Sequence, residues 1–190
     1  MYEKYQTEAL VLGNREMGEA DRVIVLFTRD FGLVRARASA IRKEHSKMRY
    51  AIQDYARANV SLVKGKRGWR LAGAAALKSA TGDRKCVATF ARIAELTIRL
   101  VYGEEKNEYL FETLANAHGA LMTGTHTSVT AVEVVCVARI LYALGYLSSE
   151  ALESTLFTHT AYGIEHLSEV EAKRAQILSS INKAIAETHL

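Results

Sequence analysis

The sequence predicts an α+β chain in two parts: a small five-stranded β-barrel over residues 1–80, then an all-helical domain over residues 81–190. Three observations predict it. Short β-branched and aromatic runs separated by glycine turns fill the first part. Apolar residues at three- and four-residue steps begin after Gly82. The charge also changes sign there: residues 1–80 carry 16 Lys/Arg against 8 Asp/Glu, and residues 81–190 carry 9 against 13. Such asymmetry points to two domains, the first facing a polyanion.

In the first part, Glu8–Gly13 (EALVLG) is a short apolar run ending in Gly, and Asp21–Thr28 (DRVIVLFT) is too short for an independent helix. Arg29–Gly32 carries turn chemistry, because Gly32 can take a positive φ cheaply. Leu33–Ser39 then alternates, completing a hairpin. Ala51–Gly65 reads as a longer strand, Gly65–Gly68 as a turn and Trp69–Leu77 as the fifth strand. Five short strands with glycines to supply curvature fit a closed or nearly closed barrel of the OB type.

In the second part, Asp83 can cap a helix from Arg84 that ends near Gly103. Asn107–Gly124 repeats the scheme with Leu110, Phe111, Leu114 and Leu121 as its stripe. Ser128–Tyr146 is apolar nearly all round and so predicts the central buried helix. Ser168 and Glu171 form a capping-box pattern for a last helix over Ser168–Thr188, after a connector from Leu147 to Leu167. There is no proline, so helices must end on glycine and capping chemistry.

Apolar residues make up 49% of the 190 residues and charged residues 24%, enough to bury a real core. Cys86 and Cys136 belong to no C-x-x-C pair, and their apolar helical settings predict buried free thiols. No secretory signal and no apolar run of the ~18 residues that span a bilayer is visible. The expectation is a soluble cytoplasmic protein with no membrane and no small-molecule substrate.

Arg35–Arg49 (RARASAIRKEHSKMR) gathers six cations around a single acid, Glu44. Strand alternation puts Arg35 and Arg37 on one exposed face and Val34, Ala36 and Ala38 on the other. Arg42, Lys43, Lys47 and Arg49 follow in a loop, and Lys64, Lys66 and Arg67 sit near the next turn. A barrel could bring these groups to one side. Charge runs are usually solvated faces, but solvating surfaces mix their signs and this one is nearly all positive. Phosphate binding accounts for the bias, because each neutralised phosphate releases counterions. Arg35, Arg37, Arg42, Lys43, Lys47 and Arg49 are therefore the candidate phosphate contacts, with Arg22, Lys66 and Arg67 behind them.

Single strands also need stacking platforms. Phe31, Tyr50, Tyr55 and Trp69 are the candidates, with turn packing or barrel core as the competing role. Trp69, between Arg67 and Arg70, is the best placed for exposure.

No catalytic constellation appears. Gly65-Lys66 is followed by Arg67 and lacks P-loop spacing, and there is no H-E-x-x-H or G-x-S-x-G. The pairs His118/His126 and His159/His166 come without carboxylate or cysteine ligands, so they read as surface or partly buried histidines and no metal or cofactor is expected. Glu104, Glu105 and Glu108 read as dipole partners near a helix start.

The segments Thr7–Lys43 and Ser46–Tyr55 resemble the RecO family of bacterial recombination mediators. Gly18-Glu19-Ala20-Asp21, Thr28, Gly32, Arg35 and Ser46-Lys47 match the family's order and spacing, and Ile140–Glu150 resembles its Leu-Gly-Tyr helix end. The chain is shorter than typical members. Many members carry a zinc module of C-x-x-C pairs after that helix; the connector here has no cysteine, so zinc is not carried over. The resemblance implies an OB-fold N-terminal domain and a helical C-terminal domain. It also implies binding to single- and double-stranded DNA, annealing of complementary strands, and work with RecR to load RecA onto DNA coated by single-stranded DNA-binding protein, in the bacterial nucleoid. An RNA-binding OB module of a ribosome or tRNA factor, or a protein-interaction adaptor, are the alternatives that composition leaves open.

Overall fold

The computed structural model describes residues 3–123, 128–148 and 155–187. The chain divides into two compact units, Met1–Thr81 with Val101–Phe111, and Gly82–Leu100 with Glu112–Leu190.

The first unit is a closed barrel with strand order β1-β2-β3-β5-β4. Its strands are β1 (Lys4–Met17), β2 (Asp21–Thr28), β3 (Gly32–Ala38), β4 (Arg57–Gly65) and β5 (Gly68–Lys78). Every neighbouring pair is antiparallel except β3 and β5, which meet in parallel at Ala36↔Trp69 and Arg37↔Arg70. This is the five-stranded barrel that the turn spacing predicts.

Two strand boundaries differ from expectation. β1 runs on past Gly13 to Met17, because a bulge between Val11 and Gly13 bends the strand instead of ending it. Its first half pairs with β4 and its second with β2. β4 starts only at Arg57: a short 3₁₀ helix, Lys47–Tyr50, and a turn through Tyr55 (φ 63°) occupy the residues before it.

Alternation supplies the core. Val34, Ala36 and Ala38 of β3 point inward with Ile24, Leu26, Val60, Leu62, Trp69 and Leu71, while Ile41 and Ile52 join them from the covering segment. β2 is buried on both faces near its end, which explains its unbroken apolar run. Phe27, outside the barrel cluster, stacks on Phe111 at 6.3 Å, and the Arg29 guanidinium lies 4.5 Å from the same ring centroid. Behind that ring Glu8 takes both Arg29 (3.1 Å) and Arg57. At the β2–β3 turn the Thr28 hydroxyl accepts the Phe31 N–H (3.0 Å) and donates to the Gly32 carbonyl (3.1 Å).

The second unit holds α1 (Arg84–Leu100), most of α2 (Glu108–Met122), α3 (Val129–Ala143), α4 (Ile164–Ala172) and α5 (Arg174–Glu187). Asn107 caps α2 by accepting the Leu110 N–H at 2.9 Å, and Ser128 caps α3 by accepting from Ala131. α3 is buried nearly all round, as its composition predicts, and Cys86 and Cys136 are buried free thiols. Burial pushes the Cys136 thiol up to about 12.

The last helix is a correction. Ser168 and Glu171 lie inside α4, which starts at Ile164 after Gly163, and a break at Lys173 separates it from α5. His118 also differs from expectation: it is fully buried, edge-on to Phe90 at 5.1 Å. His159 is exposed. His126 and the side chain of His166 lie outside the described residues, as does part of the connector between Leu147 and Leu167. No described helix is long and apolar enough to cross a membrane.

Candidate nucleic-acid interface

Two local structures build the site. β3 alternates, so Arg35 and Arg37 leave its outer face while Val34, Ala36 and Ala38 are sealed inside. The β4–β5 hairpin closes at Gly65↔Gly68, with Gly68 at φ 96°, and this leaves Lys66 and Arg67 at the tip. Barrel closure then sets the hairpin beside β3, because parallel pairing places Arg70 opposite Arg37.

The result is a surface groove of about 690 Å³. Arg35, Arg37, Lys66, Arg67 and Arg70 line it, over a floor that includes Met17, Val23, Val63 and Trp69, and no carboxylate lines it. Strands 2 and 3 with the loop between strands 4 and 5 are where OB-type barrels hold oligonucleotides and oligosaccharides. Among the described residues Arg35, Lys66, Arg67 and Arg70 carry no ion pair.

The predicted cations do not all join this surface. Arg22 and Arg42 bracket Glu16 at 3.8 and 3.3 Å, and Arg42 also donates to the Gly18 carbonyl. Lys43 and Lys47 are exposed but line no part of the groove. Arg49 folds over Tyr50, with its guanidinium carbon 4.8 Å from the ring centroid, and donates to the Tyr50 hydroxyl at 2.9 Å. Lys64 is held by Glu104 at 2.7 Å, and that ammonium keeps the Glu104 carboxyl below its ordinary range. The basic stretch is thus divided by carboxylates spread through the barrel unit. Neighbours in sequence become different surfaces.

Two of the stacking candidates are also corrected. Trp69 is only 5% exposed and packs edge-on to Tyr5 and against Phe31, with ring centroids 5.6 and 5.2 Å away. Phe31 is half-buried on the same cluster. The flanking arginines suggest exposure, but the period-two pattern Trp69, Leu71 puts the indole on the inner face, since a strand alternates whatever its neighbours' charge. Tyr55 is half-buried, and Tyr50, at 60% exposure, is the open aromatic of the four.

Arg70 is the groove residue that the sequence does not single out. Its place depends on the β3–β5 closure, which no local pattern announces. Arg37 reaches from the groove's lining to pair with Asp21, at the start of β2. Its carboxyl is held below the ordinary range first by the Ala40 backbone N–H (2.8 Å) and then by Arg37 (2.6 Å).

Residues 1–79 match the family model described as recombination protein O N terminal. The barrel is similar to the N-terminal part of the RecO family. Two relatives, both called DNA repair protein RecO and both from Desulfitobacterium hafniense (strains DSM 10664 / DCB-2 and Y51), are each 42% identical to it over 62 residues. That stretch is 33% of this chain and spans 23% of each relative's length. The family model covers the barrel, the unit that carries the groove. Among the described residues no group of three or more His, Cys, Asp or Glu is placed to hold a metal ion.

Proposed function

We propose that the groove binds the phosphate backbone of DNA, and that the chain serves DNA repair and recombination as a non-enzymatic mediator. The carrying observation is a groove with five cationic side chains and no carboxylate, at the position where this barrel type takes oligonucleotides. Backbone contacts of this kind position a strand without reading its sequence. A cationic groove lowers repulsion between two polyanions, and sequence-tolerant contacts let strands search for register, so annealing of complementary strands follows from the same surface. Cooperation with RecR and delivery of RecA onto DNA coated by single-stranded DNA-binding protein extend the proposal to the partners that the family resemblance implies.

The test is a salt titration of binding to an unstructured DNA oligonucleotide. With Arg35, Lys66, Arg67 and Arg70 free to exchange counterions, the slope of log K against log salt should lie near −2.8, about 0.7 for each phosphate neutralised on a single strand. Arg35→Glu with Arg70→Glu should weaken binding alike for all sequences, and weaken annealing with it. A flat salt response, or full annealing by the double variant, refutes the proposal. Equal-sequence RNA as competitor tells DNA from RNA.

A further inference from the structure

Five cations line the groove, yet one of them is already engaged. Arg37 donates to a single oxygen of Asp21, from Nε at 3.0 Å and from Nη2 at 2.6 Å. The other oxygen of Asp21 accepts the Ala40 N–H at 2.8 Å. Ala40 sits at φ 53°, a conformation that alanine enters only at a cost, so this bond fixes the turn leaving β3 and the carboxylate together. The Asp21 side chain is 17% exposed, against 53% for Arg37. The anion is the anchored partner, and the guanidinium reaches out to it from the groove.

The carboxylate offers Arg37 the charge and hydrogen-bond acceptor that a phosphate oxygen would offer. We infer that Asp21 is a built-in competitor for phosphate: it quenches Arg37 and keeps the groove's hold on a polyanion weak enough to exchange. This rests on the proposal that the groove binds a phosphate backbone. A guanidinium has five N–H donors and Asp21 takes two, so Arg37 can still touch a phosphate. Its charge is balanced already, however, and counterion release follows the charge left to neutralise. Arg35, two residues away on the same face of β3 and free of any ion pair among the described residues, is the internal control.

The experiment measures binding of a fluorescent oligothymidylate by anisotropy between about 50 and 200 mM salt. Asp21→Asn keeps an oxygen for the Ala40 N–H while removing the charge. It should bind more tightly than the wild type at low salt, with a slope more negative by about 0.7, so that its advantage shrinks roughly 2.6-fold over that fourfold range. Asp21→Asn with Arg37→Gln removes the pair whole and should bind nearly as the wild type does, whereas Arg35→Gln alone should cost affinity; within the Asp21→Asn background Arg37→Gln should cost as much as Arg35→Gln. An Asp21→Asn variant that binds as the wild type does or more weakly, with an unchanged slope, overturns the inference. So does a double variant, Asp21→Asn with Arg37→Gln, whose loss equals that of Arg35→Gln. Should Asp21→Asn fail to fold, Asp21→Ser, whose hydroxyl can still accept the Ala40 N–H, carries the same comparisons. A wild-type protein without salt-dependent binding sinks the phosphate groove itself, whereas salt-dependent binding with a neutral Asp21→Asn sinks only the competitor.

Discussion

Gly18 and Gly32 make a controlled experiment that the fold has already set up. Both hold nearly the same left-handed backbone, φ 65° and 61°. A Cβ at Gly18 would meet nothing within 4 Å, whereas one at Gly32 would stand 2.9 Å from the carbonyl carbon and the nitrogen of Glu105, and closer still to its carbonyl oxygen. Gly18→Ala therefore pays the left-handed conformation alone, roughly 1 kcal/mol. Gly32→Ala pays the same and must also push aside backbone, which bends less readily than a side-chain tip; overpacking adds about 1–3 kcal/mol. The difference between the two variants should be about 2 kcal/mol, a large part of the ~5–15 kcal/mol that holds a domain folded. Urea unfolding followed by the emission of Trp69 reads it, because the chain has one tryptophan and it lies in the barrel core. Two variants within about 0.5 kcal/mol of each other, less than the low end of the overpacking cost, would refute the close approach of Val101–Phe111 to the β2–β3 turn.

Glu8 gives a pH test. Its burial pushes the carboxyl up, but Arg57 and Arg29 outweigh burial and hold it below its ordinary range. A depressed folded-state value means stability that is present above the unfolded pKa of about 4.3 and lost as pH falls through the lower folded value. Glu8→Gln should cost about 2 kcal/mol at neutral pH and flatten the acid limb of the stability curve; an unchanged acid limb counts against the pairing. In the helical unit, Arg139 is fully buried and donates to the carbonyls of Leu156 (2.9 Å) and Ala161 (3.0 Å). Arg139→Ala should cost about 3 kcal/mol and speed hydrogen exchange at the amides of residues 156–162, and retained protection there would show that the guanidinium does not pin the segment. Cys136, with its thiol pushed up to about 12, should react with a disulfide reagent near pH 8 only as fast as the helical unit opens, so urea below the transition should accelerate labelling in step with unfolding.

What was legible in the sequence was what local chemistry decides. β3 could be read residue by residue because Val34 to Ala38 alternate, and alternation alone sends Arg35 and Arg37 outward. Asn107 was readable as a cap because a cap acts on an amide three residues away. The same logic misled at Ser168: a capping box and an interior helical pair share the i, i+3 spacing, and only the burial of Leu167 and Val170 shows that the helix has already begun. The remainder was set by partners distant along the chain. Arg70 reaches the groove through a parallel contact of two residue pairs that closes the barrel. Arg37 loses its free charge to Asp21, 16 residues away, and Arg22 and Arg42 share Glu16. Pairing of this sort is a property of the closed barrel, and a charge count along the chain cannot hold it.

A net charge of +8 over residues 1–80 is therefore a weaker statement than the groove makes. At physiological ionic strength charges are screened beyond about 8 Å, so a polyanion in contact with the barrel responds to its nearest side chains and hardly to the total. Lys43 and Lys47, exposed and outside the groove, can draw a strand in from solution at low salt, yet they line nothing that would hold it. Arg35 and the cluster Lys66, Arg67 and Arg70 come from two stretches of sequence and line one groove, so a strand lying in it meets several unpaired cations together. The site is made by barrel closure acting on ordinary strand alternation. Perturbations that loosen the closure should weaken the groove even where no groove residue is changed.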